Sequence, residues 1–141
     1  MIDKEIIIIA SNTENHGALD NHTHFSKLKN SICGDDMKIY LVVENDKITN
    51  FKYECESCIY CQASVSLLSR KAKNKSIEKA KNFAQQANGH FDKSANSFDK
   101  EWKEFDMIMT KNNISRKECL LLPINTTLDA LNKKPLWNLK K

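Results

Sequence analysis

Five cysteines are the residues of this sequence best suited to chemistry. An odd number cannot pair completely into disulfides, and the cysteines of a cytosolic chain more often serve metal or sulfur chemistry. One group forms a C-x-x-C-x-x-C run, and the other two cysteines lie far away on either side of it. In chain order they are Cys33, Cys55, Cys58, Cys61 and Cys119. Their type and spacing predict a metal site or a sulfur-transfer site.

At three of these positions, the nearby residues in the chain favour a metal ligand or a thiolate. Cys33 begins a Cys-Gly-Asp tripeptide, whose glycine allows a tight turn that lets the Cys33 thiol and the Asp35 carboxylate share a metal. Cys58 lies where a predicted strand meets a predicted helix, and the positive end of a helix dipole favours the thiolate. Arg116 precedes Cys119 by three residues, so a helical turn would place cation and thiol on one face. For the tripeptide alone, an ordinary turn with a buried thiol remains the alternative.

The elements that must position these residues follow from the periodicity of apolar side chains. Met37–Val43 and Lys47–Tyr53 alternate around a turn at 44–46, which predicts a β-hairpin. Helical spacing predicts helices over Gln62–Lys73 and Ile77–Ala87, the second of them beginning with Ser76 as N-cap.

The flanking segments add further elements. Glu5–Asn12 is a short apolar helix or strand. A capping-box pattern at 115–118 predicts a helix start that would place Cys119 in the first turn, and Pro123 offers a competing start. An apolar stripe at helical spacing indicates core packing rather than a cofactor site, and it comprises Phe98, Trp102, Phe105 and Met109.

Together the elements predict one α+β domain over residues 1–141, in which helices pack on one face of a small antiparallel sheet made of the hairpin and a third strand.

Charge and hydropathy exclude two classes of partner. The net charge of +4 comes from scattered lysines interspersed with acidic residues, so we expect no nucleic-acid partner. The apolar run Ile6–Ala10 is too short to span a bilayer, and acidic residues precede it where a signal peptide would carry lysines. We therefore expect a cytoplasmic protein without a membrane partner.

Several motifs together resemble the iron–sulfur cluster assembly proteins of the IscU, SufU and NifU type. That family has a Cys-Gly-Asp tripeptide before a hairpin, a cysteine before an Ala-Ser-x-Ser helix start, and a distant third cysteine. The matching segments are 33–35, Cys58 with 63–66, and 116–119 followed by Leu122 and Pro123, with Asn12, Asn15, Gly17 and Leu19 near the N-terminus.

The SufU type is the most similar. Glu118 stands where IscU-type proteins carry a histidine, and the stretch after Cys58 is longer, which implies an inserted helical region near residues 89–113. The resemblance implies four ligands for a metal ion or a cluster, namely Cys33, Asp35, Cys58 and Cys119. It also implies a cysteine desulfurase and apo iron–sulfur target proteins as partners. The sequence departs from the family at Ser57, which replaces a glycine, and at Cys55 and Cys61, which have no counterpart among the family's ligands.

Three functions remain open at this point. The first is a scaffold that assembles a labile [2Fe–2S] cluster, or holds iron for it, and passes it on; a carboxylate ligand would keep the cluster labile. The second is a zinc-bound sulfur acceptor for the desulfurase. In that case we expect Cys119 to take the persulfide sulfur, because nearby cations favour its thiolate and a short turn would leave it mobile and exposed. The third is a permanent ferredoxin-like cluster on the C-x-x-C-x-x-C run, which lacks the usual fourth cysteine and proline.

Overall fold

The fold is given by a computed structural model that describes residues 4–30, 34–91, 97–133 and 135. Cys33, a predicted ligand, lies outside the described residues. The elements run in the order α1 (Lys4–Ala10), β1 (His24–Asn30), β2 (Asp35–Glu44), β3 (Lys47–Glu56), α2 (Ile59–Ala72), α3 (Ile77–Gly89), two 3-10 helices (Lys100–Met107 and Lys111–Arg116) and α4 (Lys117–Asn132).

The strands form one antiparallel sheet in the order β1-β2-β3. The predicted hairpin is β2 and β3, and its two turn residues Asn45 and Asp46 have φ values of 52° and 62°, as the tight turn of a two-residue hairpin requires. The third predicted strand is β1. Alternate residues of β2 are buried, so one face of the sheet packs against the helices. The predicted α+β class is confirmed.

The helices after the hairpin begin and end close to the predicted positions. The Ser76 hydroxyl accepts a hydrogen bond from the Lys79 backbone N–H at 3.1 Å, which confirms Ser76 as the N-cap of α3. Asn74 has a φ of 72°, so the chain turns sharply in the short link between α2 and α3. Residues 4–10 form a helix rather than a strand.

The predicted start of the last helix is wrong in detail. Ser115 belongs to the second 3-10 helix, so it lacks the extended backbone of an N-cap, and Arg116 occupies that position without a side-chain cap bond. Pro123 lies inside α4 and does not begin it. Cys119 nevertheless lies in the first turn of α4, as expected.

The apolar stripe of Phe98, Trp102, Phe105 and Met109 packs in the core, as predicted, although its central part is a 3-10 helix. The Trp102 ring stacks on Phe83 of α3 at a centroid distance of 4.2 Å. This contact attaches the segment after residue 97 to the helical layer. The assignment of residues 89–113 as an insertion into a single domain stays a prediction. Among the described residues, no helix is both long enough and apolar enough to cross a membrane.

Candidate metal centre

Three potential metal ligands converge from three separate elements. Asp35 is the first residue of β2, Cys58 is the N-cap of α2, and Cys119 lies in the first turn of α4. One carboxylate oxygen and the two sulfur atoms all lie within 4.8 Å of one another. One metal ion or a small cluster could contact all of these atoms at ordinary bond lengths. Among the described residues, no other group of three or more such donors lies this close together.

The buried carboxylate of Asp35 is the strongest structural indication that this site binds a cation. Its side chain is buried, with 3% of the residue exposed. Its Oδ1 accepts the backbone N–H of Cys58 at 3.1 Å, whereas Oδ2 has no hydrogen-bond partner among the described residues. A buried carboxylate oxygen without a partner is costly in free energy, and a cation would remove that cost. The residues present therefore fit a metal or a metal cluster.

Cys58 leaves its sulfur free for the site. Its backbone is extended, with φ −70° and ψ 167°, and its side chain makes no cap hydrogen bond to α2. The helix N-terminus is served instead by the Asp35 carboxylate, which accepts the Cys58 N–H. The residue is half-buried. Its thiol therefore forms the more accessible side of the centre.

Cys119 is more deeply placed than the sequence predicted. It is the third residue of α4, and only 1% of it is exposed. The expectation of an exposed turn is wrong, because α4 packs against α2 and the sheet. The Ser64 hydroxyl of α2 donates to the backbone oxygen of Leu120 at 2.6 Å. Cys119 itself accepts a hydrogen bond from the side-chain amide of Asn30 at 3.9 Å.

Asn30 is a residue of the site that the sequence analysis missed. Ser64 belongs to the matched segment 63–66, but its contact with α4 was not predicted. Asn30 ends β1, and its backbone oxygen accepts the N–H of Gly34 at 2.8 Å. Gly34 has a φ of 71°, a left-handed conformation that favours glycine, so the Gly34 of the tripeptide is required by the turn before Asp35. Only the pairing of β1 with β2 brings Asn30 to the site, and no local pattern signals it.

Cys55 and Cys61 do not join the group of donors. Cys61 is fully buried on α2, and Cys55 lies partly buried on β3 against the core. Burial raises the pKa of both thiols, and the neighbouring Ser57 hydroxyl opposes part of that rise. We therefore expect both to be protonated packing residues. Since the described donors of the C-x-x-C-x-x-C run do not cluster, the structure does not support a ferredoxin-like centre.

The described histidines make ring contacts and hydrogen bonds away from the donor group. His90 stacks on Phe98 at 4.4 Å, and its Nε2 contacts the backbone oxygen of Met109 at 2.9 Å. His16 packs edge-on against Tyr53. His24 is buried, and its Nδ1 contacts the Thr23 hydroxyl. No histidine belongs to the donor group around Asp35.

The fold and the site define a small α+β domain that presents thiols and a carboxylate at the starts of two helices and a strand. The chain belongs to the family of the NifU-like N-terminal domain, whose family model matches residues 1–91, more than half of the 141 residues. This matched segment includes Asp35 and Cys58, and Cys119 follows it.

Named relatives and solved structures agree with this membership. The iron–sulfur cluster assembly scaffold protein IscU of Thermotoga maritima is 28% identical over 134 residues, which cover 94% of this chain and 94% of that protein. A protein of Fervidobacterium islandicum AW-1, described as a scaffold for iron–sulfur cluster assembly in the SUF system, is 25% identical with a TM-score of 0.81, covering 93% of this chain and 96% of its own. The NifU-like protein (N-terminal) of Brucella abortus has a TM-score of 0.85 at 18% identity, covering 92% and 90%, and supports the fold.

Proposed function

We propose that this protein is a scaffold on which an iron–sulfur cluster is assembled and from which it is passed to other proteins. One observation carries the proposal. Asp35, Cys58 and Cys119 bring two thiols and a carboxylate within 4.8 Å, and the buried Oδ2 of Asp35 has no hydrogen-bond partner among the described residues. Family membership and the Thermotoga relative support the same function.

The mixed ligand set suits cargo that must leave. Thiolates are the usual ligands of iron–sulfur clusters. A carboxylate is a harder ligand and binds such iron less strongly, so the Asp35 corner is the weak point from which a cluster can be released. Cys33, which precedes Gly34 in the sequence, is the proposed fourth ligand.

The burial of the two cysteines sets the direction of access. Cys119 and Asp35 are buried and form the floor of the centre, whereas Cys58 is half-buried at its open side. We infer that sulfur arrives and cargo leaves past Cys58. A cysteine desulfurase is the proposed source of sulfur, apo iron–sulfur proteins are the proposed recipients, and the cytoplasm is the proposed location.

A second function uses the same ligands. Two thiolates and a carboxylate with a further cysteine make the four-coordinate set that zinc prefers in closed sites. In that function Cys119 is the proposed acceptor: its thiolate attacks the outer sulfur of the desulfurase persulfide, a new S–S bond forms, and the desulfurase thiolate leaves. Because Cys119 is buried, this role requires the first turn of α4 to move when the desulfurase docks.

Metal content and colour separate the two functions. Protein purified without oxygen is analysed for iron, acid-labile sulfide and zinc, and its visible spectrum is recorded. Brown protein with iron and sulfide in similar amounts supports the scaffold. Colourless protein that holds about one zinc per chain and takes up no iron supports the sulfur acceptor. Cys58→Ala should lose the bound species in either case, and Cys61→Ala, which changes a buried thiol outside the donor group, is the matched control.

A further inference from the structure

Two contacts join the starts of α2 and α4, the helices that carry Cys58 and Cys119. On the inner side, the Ser64 hydroxyl donates to the backbone oxygen of Leu120 at 2.6 Å. On the outer side, the Arg116 guanidinium lies over the Tyr60 ring, 5.2 Å from its centroid.

The spacing of these contacts fixes how the helices lie. Tyr60 and Ser64 are four residues apart on α2, and Arg116 and Leu120 are four residues apart at the start of α4. Four residues are about one helical turn, so the contacts follow one another in the same direction along both helices. The two helices therefore run side by side with their N-termini together, and both positive dipole ends lie at the donor group.

The outer contact differs from the inner one in strength and exposure. Ser64 is buried, and its hydrogen bond is protected from water. Arg116 is exposed and Tyr60 is half-buried, so their contact is of the weak kind found at protein surfaces. It lies two residues after Cys58 and three residues before Cys119. A contact at this place can open without unfolding the helices.

We propose that Arg116 and Tyr60 form a clamp that holds the Cys58 and Cys119 sulfurs at metal-binding distance and slows release of the bound metal or cluster. Both are positioning residues, since they act through the helix ends. The clamp rests on the proposed metal-binding function. Breaking it should leave the fold intact and shorten the time for which the site retains its metal.

The test measures release of zinc to a chromophoric chelator from zinc-loaded protein. Tyr60→Leu removes the aromatic face but keeps apolar bulk, and Arg116→Gln removes the charge. We expect each to speed release about three-fold, the size expected for loss of one exposed cation–π contact. The double variant should be no faster than Arg116→Gln alone, because Arg116→Gln already removes the contact with Tyr60. In cobalt-loaded protein, the thiolate-to-metal absorption band should shift in both variants.

Three matched variants control for general effects. Tyr60→Phe keeps the ring and should release zinc at the wild-type rate, and Arg116→Lys keeps a cation and should restore part of the retention. Lys75→Gln removes another cation–π contact, with Trp102 at 5.7 Å, beyond the far end of the 14-residue α2 and about 20 Å along the helix from Cys58. It should leave release unchanged.

Two results would overturn the clamp. One is wild-type release and an unshifted cobalt spectrum in Arg116→Gln, whose exposed side chain can be changed without disturbing the core. The other is equal acceleration by Lys75→Gln. Wild-type protein that binds neither zinc nor cobalt would instead refute the proposed metal centre, and the clamp with it. Thermal unfolding of the metal-free variants within about 2 °C of wild type shows that the fold is retained.

Discussion

The backbone N–H of Cys58 donates to Oδ1 of Asp35 at 3.1 Å, so the first residue of β2 caps the first turn of α2. One carboxylate thereby has two tasks. Oδ1 holds the helix start that carries a thiol, and the buried Oδ2 is left for a metal. The ligand geometry is thus coupled to the junction between strand and helix.

Asp35 variants separate these two tasks. Asp35→Asn keeps an oxygen that can accept the Cys58 N–H but loses the anionic ligand, whereas Asp35→Ala loses both. We expect each to weaken zinc binding at least about ten-fold, and only Asp35→Ala to lose about 1 kcal/mol of metal-free stability with its cap bond. Chelator competition and urea unfolding measure the two effects. Zinc affinity in Asp35→Asn equal to wild type would show that the carboxylate is not a ligand.

The four described cysteines should divide into two pairs. Cys58→Ala and Cys119→Ala each remove a sulfur of the donor group and should lose most bound metal. Cys55→Ala and Cys61→Ala should keep wild-type metal stoichiometry, with Cys61→Ala about 1 kcal/mol less stable because its sulfur is fully buried. Metal analysis and chemical unfolding check this division. Loss of metal in Cys61→Ala at retained fold would favour a centre on the C-x-x-C-x-x-C run instead.

Burial predicts an order of thiol reactivity. In metal-free protein the half-buried Cys58 should be alkylated by iodoacetamide faster than Cys119, of which 1% is exposed. If Cys119 accepts sulfur, incubation with a desulfurase, free cysteine and pyridoxal phosphate should place the added sulfur on Cys119, as located by peptide mass spectrometry. Sulfur on Cys58 with Cys119 unmodified would contradict that assignment.

Much of the fold could be predicted from local sequence patterns. The hairpin was predictable because its alternation and its Asn45-Asp46 turn are written within a few residues. The cap at Ser76 was predictable for the same reason. The start of α4 was not, because the chain enters it from a 3-10 helix, which takes Ser115 out of the N-cap position.

The residues of the site could be predicted from the sequence, but the burial of Cys119 could not. The motifs identified Asp35, Cys58 and Cys119 as candidates, and the described structure brings these residues together. The burial of Cys119 is supported by Ser64, whose hydroxyl donates to the backbone oxygen of the following residue, Leu120, 56 positions after Ser64. Contacts of that range leave no periodic trace in a sequence. The Arg116–Tyr60 contact went unrecognised for the same reason.

His24 should make stability sensitive to mild acid. Burial, and then the charge of Lys81, lowers the pKa of His24 below its usual 6.5. Because the unfolded chain binds this proton more readily, the stabilising contribution is complete above pH 6.5 and is lost as the pH falls below it. Urea unfolding of metal-free protein should show a smaller loss between pH 7.5 and about pH 5.5 in His24→Gln than in wild type. Lys81→Gln should reduce the loss in part. Equal losses in all three proteins would refute this role for His24.

Transfer of an assembled cluster to an acceptor protein is the activity that defines a scaffold. Protein reconstituted without oxygen from ferrous iron, cysteine, a desulfurase and dithiothreitol, which reduces the persulfide sulfur to sulfide, is mixed with an apo [2Fe–2S] ferredoxin. The circular dichroism of the ferredoxin cluster is then followed in the visible range. The proposed scaffold should become brown and then pass its cluster to the ferredoxin within minutes, faster than iron and sulfide in solution assemble it, whereas Cys58→Ala should show no such acceleration. A protein that stays colourless and zinc-bound, or that retains its cluster beside excess apo-ferredoxin, would contradict the scaffold function.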